Sequence, residues 1–479
     1  MTSAPLNAVI AAHRFGLGEA RLDVVGNDPA GWLKAQIGPA DRPVGRLLAS
    51  SQQGLAAYTE QKVPTRALLG DPMPKQPAMA GGRAMPAADD PPELREIVNA
   101  DIQSRLLTAA QTRRPFAERL TLFWANHFSV SILKSTVRGL AGAMEREAIR
   151  PHIAGNFETL LRAAATHPSM LRYLDNNASA GPHSRTVQRN LARRGGTDKP
   201  VKRATGLNEN LAREIMELHT LGVANGGGSY GPWGGYTQAD VTAFAAVLTG
   251  WRATDPPRNG QAGYFEPNVH EPGPKRLLGK TYPEGPEALN MVLHDLATHP
   301  STARFIATKL ARHFVADEPP VSLVDKLARS FSGSGGDLAA VYRTLIDAPE
   351  SWDPAARKLK TPEEFGISTL RVLGVAERHM AQGKDSVLGS MGQRPMSAPS
   401  PAGWPDKAEE WLGPDAVWKR VEWAMRIAER ADPQTDARAL ARASLGARLS
   451  DTTERQIERA ADGQQALVLL LMSPEFQRR

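Results

Sequence analysis

The segment Asn208-Glu209-Asn210-Leu211-Ala212-Arg213-Glu214-Ile215-Met216-Glu217-Leu218-His219-Thr220 concentrates side chains able to do chemistry. On a helix, Asn210, Glu214 and Glu217 stand at i, i+4 and i+7 and form one polar stripe, beside an apolar one of Leu211, Ile215 and Leu218. Two carboxylates one turn apart either share a cation or, by like-charge repulsion, raise a pKa toward the general-base range. His219 faces elsewhere unless the last turn, before Gly222, unwinds. A simpler reading competes at even weight. Glu209 to Arg213 and Arg213 to Glu217 are both i,i+4 pairs, so a surface salt-bridge ladder explains the same charges. The spacing matches neither HExxH nor the Glu-x-x-His of di-iron bundles.

A second group is Trp124-Ala125-Asn126-His127-Phe128, on an otherwise aromatic helix that also carries Arg119 seven residues before Asn126. His127 reads as a hydrogen-bonded core histidine or, less often, a ligand or base, and Asn126 with Arg119 as lining of a polar cavity. A third group, His270-Glu271-Pro272-Gly273-Pro274-Lys275, offers a base, an acid and an anion contact in a non-helical loop, against the plainer reading of a charged turn. Asp240, near its helix start, favours the N-terminal dipole over a catalytic role. No GxxxxGK[ST], G-x-S-x-G or strand-led dinucleotide fingerprint occurs. The glycine run around Gly226-Gly227-Gly228 follows a helix, where phosphate cradles normally follow a strand.

The elements that must position these groups are helical. Helical periodicity predicts an all-α chain, one large multi-helix body over residues 1–479, with helices at Ala4–Arg14, Pro115–Ser131, Asn156–Thr166, Asn208–Leu218, Ser301–Val315 and Pro362–Leu373, among others. Three stretches break the pattern. Residues 71–92, rich in Pro and Gly, read as a linker or loop, residues 183–205 as a basic loop, and residues 255–282 as an irregular excursion with at most a small hairpin, lining the site. Gly392 to Trp411, around Pro401-Ala402-Gly403-Trp404, interrupts the C-terminal helices.

Of 479 residues none is Cys, which excludes disulfides, thiolate metal sites and a Cys nucleophile. Fifty-eight Lys and Arg against 51 Asp and Glu leave a net charge of +7, a weak preference for anionic partners. Much of the excess lies in His183 to Thr205, which has no interleaved aromatics. Nothing specific therefore points to nucleic acid, and a polybasic segment with little apolar moment gives only marginal membrane attachment. No run is long and apolar enough to span a bilayer, and Met1 to Gly18 lacks the pattern of a signal peptide, so the chain as given reads as cytoplasmic, with export alongside a partner left open.

Taken together these stretches resemble the bacterial family called domain of unknown function 1800. The resemblance rests on His13-Arg14-Phe15-Gly16, Phe123-Trp124-Ala125-Asn126-His127-Phe128, His167-Pro168-Ser169-Met170-Leu171, Gly206 through Val223, Gly235-Tyr236-Thr237-Gln238-Ala239-Asp240-Val241, Leu248-Thr249-Gly250-Trp251, His270 with Gly273 and Lys275, and Pro401-Ala402-Gly403-Trp404. It spans almost the whole chain. Glu271 stands where the family often shows Asp, and the glycine run and basic arm look like expansions. The resemblance implies kinship rather than an activity, and that polar residues on separate helices travel as a set, which fits a common polar pocket.

The reading is an enzyme, metal-dependent or general acid/base, acting on an anionic or polar substrate in a buried helical pocket, with hydrolysis, group transfer and oxidation all open. Glu214, Glu217, His127 and His270 are its catalytic candidates, and Asn126, Asn208, Asn210, Arg213 and Lys275 its substrate contacts. Glu214, Glu217, His219 and Asp240 are the candidate ligands of a divalent Zn, Mn or Fe. Its partner is an anionic small molecule or polymer, or an acidic protein. The alternative is a non-catalytic helical adaptor or assembly protein that docks an acidic partner or polymer through the basic loop.

Overall fold

The computed structural model describes residues 5–45, 48–60, 91–193, 206–223, 235–258, 261–377 and 389–479. The body is predominantly helical, and the described strands make two small two-stranded antiparallel sheets, β1 (Trp251–Arg258) with β2 (Gln261–Phe265) and β3 (Lys275–Leu277) with β4 (Lys280–Tyr282). The excursion is thus two hairpins, the first beginning at Trp251. The stretch proposed as a linker falls almost wholly outside the described residues, as do residues 194–205 of the basic segment, whose first half contains a helix, Arg185–Ala192. Among the described residues no helix is long and apolar enough to cross a membrane.

Local signals set the helix starts. Asp28 and Asn156 accept from backbone N–H groups at Gly31 and Glu158, and Thr237 with Asp240 and Thr361 with Glu364 form reciprocal capping boxes before Gln238–Leu248 and Pro362–Leu373. The polar helix read over Asn208–Leu218 is shorter in α form, Asn210–Glu214, and continues as a π-helical stretch, Ile215–Thr220. The wider turn changes which side chains share a face, so Glu214 and Glu217 no longer follow the α-helical stripe. Near the end of the chain, Asp451–Glu458 and Gly463–Met472 form two separate helices.

One contiguous core runs through the chain, from Ala8 near the start to Phe476 near the end. Trp124 is fully buried in it, stacked with Phe128 and donating its indole N–H to the Tyr342 hydroxyl at 2.6 Å. Buried charge threads this core in paired networks. Arg150 bridges Glu118 and Glu145, and Arg105 bridges Glu145 and Glu363. The early His13-Arg14-Phe15-Gly16 motif is part of the same scaffolding. The Arg14 guanidinium, fully buried, donates to the carbonyls of Ser351, Asp353 and Ala356, and the Gly16 carbonyl accepts from Arg119 at 2.7 Å. The Arg14 contacts tie the start of the chain to residues more than three hundred positions later.

Candidate functional site

A cavity of about 370 Å³ opens where four helical segments and the loop around Trp404 converge. The Pro115–His127 helix contributes Arg119, Phe123, Asn126 and His127, and the π-helical stretch contributes Glu217 and Leu218. The Pro300–Phe314 helix contributes Phe305, Lys309, Arg312 and His313. Residues Thr361, Glu363 and Glu364 close one wall and the Trp404–Lys407 stretch another.

Lys309 and His313 stand at i and i+4, so helix geometry places both on one face. The His313 Nδ1 lies 3.3 Å from Asp406 Oδ2, across 93 residues of sequence, while Nε2 is buried without a hydrogen-bond partner among the described residues. With the carboxylate accepting the Nδ1 proton, the Nε2 lone pair is free. Burial pulls the His313 pKa down to about 4 against the opposing effect of Asp406, so the ring is neutral at neutral pH. Burial alone would raise the Asp406 carboxyl, but His313, Lys358 and Arg479 hold it well below the usual carboxylate range. Lys358 donates to the Asp406 backbone carbonyl and sits 3.4 Å from its carboxylate. Lys309, half-buried, has no hydrogen bond or ion pair with any described residue, and its ammonium lies 5.5 Å from the centre of the Phe305 ring. Burial brings its pKa down to about 8, Asp406 opposing and Arg312 adding to the fall.

The loop carrying Asp406 is held by Asn126. Its amide donates to the Trp404 carbonyl at 2.9 Å and accepts from the Trp404 N–H at 2.7 Å, so one side chain imitates a strand pairing. Gly403 makes this possible. Its φ is +83°, and a Cβ there would lie 2.5 Å from the Asn126 carbonyl oxygen. Gly403→Ala is therefore expected to cost about 1–3 kcal/mol through strain and overpacking and to move Asp406 off His313. Urea unfolding measures the first effect. The second is a change in the His313 imidazole proton signal, and an unmoved signal with unchanged stability would contradict this account.

Of the residues proposed from sequence, Asn126, His127 and Glu217 line the cavity, and His219 lies behind His127. His219 sits within the π-helical stretch, Ile215–Thr220, and does not line the cavity. His127 Nε2 is 3.2 Å from the His219 carbonyl, and His127 Nδ1 and both His219 ring nitrogens are buried without partners among the described residues. Burial, then Lys309, lowers both imidazoles, His219 to about 3. Glu214 does not line the cavity. Burial, then the Glu217 charge, pushes its carboxyl up.

The remaining candidates are engaged elsewhere. Arg213 pairs with Glu209 at 3.1 Å and donates to Gln238, which is the first rung of the expected salt-bridge ladder. The Asn208 side-chain amide oxygen accepts from the Asn210 N–H, and Asn210 is exposed. Asp240 completes its capping box and accepts from the Leu278 N–H at 2.7 Å. His270 and Lys275 form a knot of their own. His270 Nδ1 donates to the Thr249 carbonyl at 2.7 Å, and Nε2 accepts from the Lys275 ammonium at 3.0 Å and the Gly285 N–H. Neither lines the cavity. Among the described residues no group of three or more His, Cys, Asp or Glu side chains is placed to hold a metal ion, so Glu214, Glu217, His219 and Asp240 are not gathered as a set.

Lys309, His313, Glu364 and Asp406 were not singled out by sequence reasoning. A Lys and a His one turn apart on the apolar Ser301–Val315 helix were a usable signal. Asp406 gave none, since it reaches His313 only through the loop.

Fold and site together define a helical protein with a cavity lined by ionisable groups. The sequence matches the family model described as "Protein of unknown function (DUF1800)" over residues 10–478, and the chain belongs to that family. No curated protein and no solved structure matches it.

Proposed function

We propose that the chain is an enzyme whose active site is this cavity and whose chemistry is general acid–base catalysis on a small polar or anionic substrate. The observation that supports it most is the His313–Asp406 pair, an imidazole with one nitrogen on a half-buried carboxylate and the other without a partner among the described residues, at a cavity wall. In this reading Asp406 fixes the tautomer and stabilises the imidazolium that forms, and Nε2 removes a proton from the substrate or from water. Three of the lining carboxylates already have cationic partners. Glu363 has Arg105, Glu364 has Arg119 and Arg479, and Asp406 has Lys358. His127 and Glu217 flank the same space.

The test is to incubate the purified protein with a small-molecule metabolite extract and follow depletion by mass spectrometry, beside His313→Gln. The expected outcome is consumption of at least one polar compound, slowed about 10²-fold or more in a variant that keeps its thermal midpoint. Turnover that continues at full rate in His313→Gln would overturn the assignment.

A further inference from the structure

The same cavity holds an amine that the acid–base reading leaves without a covalent role, and a role for it rests on that reading's placement of the active site. Lys309 projects from the helix one turn before His313, lines the cavity, lies against the Phe305 ring and has no carboxylate partner among the described residues. A lysine kept only for structure or solubility normally pairs or reaches solvent, as Lys358 does with Asp317 and Lys407 with Glu318. We propose that Lys309 is a nucleophile that forms an imine with a small carbonyl substrate, an aldehyde or a 2-oxo acid, with His313 moving the protons.

The step balances without an oxidant or a metal. The neutral Nζ donates its lone pair to the carbonyl carbon, a C–N bond forms, and the carbonyl π electrons move to oxygen. His313 Nε2 takes a proton from nitrogen and returns it to oxygen, giving the carbinolamine. It then takes the remaining N–H proton and delivers it to the hydroxyl, which leaves as water while the nitrogen electron pair forms the C=N bond of the neutral imine. The amine must be neutral to begin. Around it, Arg312 on its own helix disfavours the ammonium and Asp406 favours it, while the neighbouring imidazoles of His127, His219 and His313 are uncharged at neutral pH. Glu217 and Glu364 line the same cavity, the latter already paired with Arg119 and Arg479. A group with pKa near 8 is about one-tenth neutral at pH 7, against about three in ten thousand for an ordinary lysine, a preference of about two orders of magnitude.

The experiment uses the full-length protein with glyoxylate and cyanoborohydride at pH 7, which reduces any imine to a stable carboxymethyl amine, followed by peptide mass spectrometry. The expected result is an adduct on Lys309 forming about 10²-fold faster than on any other lysine, absent in Lys309→Arg and slowed in His313→Gln. Labelling spread over surface lysines with no preference for Lys309 would overturn the proposal, and this comparison within the unaltered protein does not depend on any variant folding. If His313→Gln abolishes substrate turnover while Lys309 shows no preference, the acid–base reading stands and the imine falls. If Lys309 labels selectively and His313→Gln changes neither labelling nor turnover, the imine stands and the acid–base assignment falls.

Discussion

Glu364→Ala should destabilise the protein by about 3–5 kcal/mol from its ion pairs alone, with about 1 kcal/mol more from the lost cap. The Glu364 carboxylate does three things at once. It accepts from Arg119, sits 3.1 Å from the Arg479 guanidinium, and accepts from the Thr361 N–H at 2.9 Å as half of the capping box that starts Pro362–Leu373. Both guanidiniums are buried, Arg479 fully, so removing their shared counter-charge strands positive charge in the core. Arg119 keeps only its bond to the Gly16 carbonyl, and Arg479 keeps Asp406 at 3.5 Å and the His313 carbonyl. Glu364→Gln preserves the volume and one acceptor, so its loss should be smaller, with the cap retained. Urea unfolding of the three proteins compares them. A change below about 1 kcal/mol in Glu364→Ala would mean that the guanidiniums find other acceptors and that the cavity wall does not depend on this carboxylate.

Acid should unfold the protein earlier than carboxylate titration alone would predict, with stability falling by several kcal/mol between about pH 7 and 5. Four buried imidazoles, His13, His127, His219 and His313, have pKa values lowered chiefly by burial, the last two to about 3 and 4. In the unfolded chain they titrate near 6.5. Between the folded and unfolded values the unfolded state binds the extra protons, so stability is present above about 6.5 and is lost as pH falls below it, at up to about 1.4 kcal/mol per pH unit for each ring. A few carboxyls work the other way. Asp101, raised to about 6 chiefly by burial, and Glu19 and Glu118, also raised chiefly by burial, bind protons more readily when folded and offset part of the loss below pH 6. Glu364 and Asp406, held low against burial by nearby cations, add a further loss only as pH drops under about 4. Urea midpoints at a series of pH values read the slope directly. A flat profile from pH 7 to 5 would show that these rings are already protonated or hydrated in the native state.

Much of the site's scaffold was legible in local chemistry. The caps at Asp28, Asn156 and Thr237, the left-handed stop at Gly222 and the helical period of the main segments are properties of a few adjacent residues, and the structure follows them. His127 and Asn126 also stood out, because a polar pair on an aromatic helix has to be satisfied somewhere. The stripe over Asn210, Glu214 and Glu217 misled where it assumed α-helical pitch through residues that take π-helical pitch, a choice made by packing against neighbours rather than by propensity.

By itself, then, the sequence determined an all-α chain, its family, the absence of cysteine chemistry, and the two polar helices that border the cavity. Only the tertiary structure decided which of their residues meet. The pairing of His313 with Asp406, the bracket of Asn126 on Trp404 and the burial of Arg479 against Glu364 join positions from 93 to 278 residues apart. Such contacts are set by how helices cross and where an irregular loop returns. Neither leaves a spacing in the chain, because the interaction depends on distance through space while the sequence records only order.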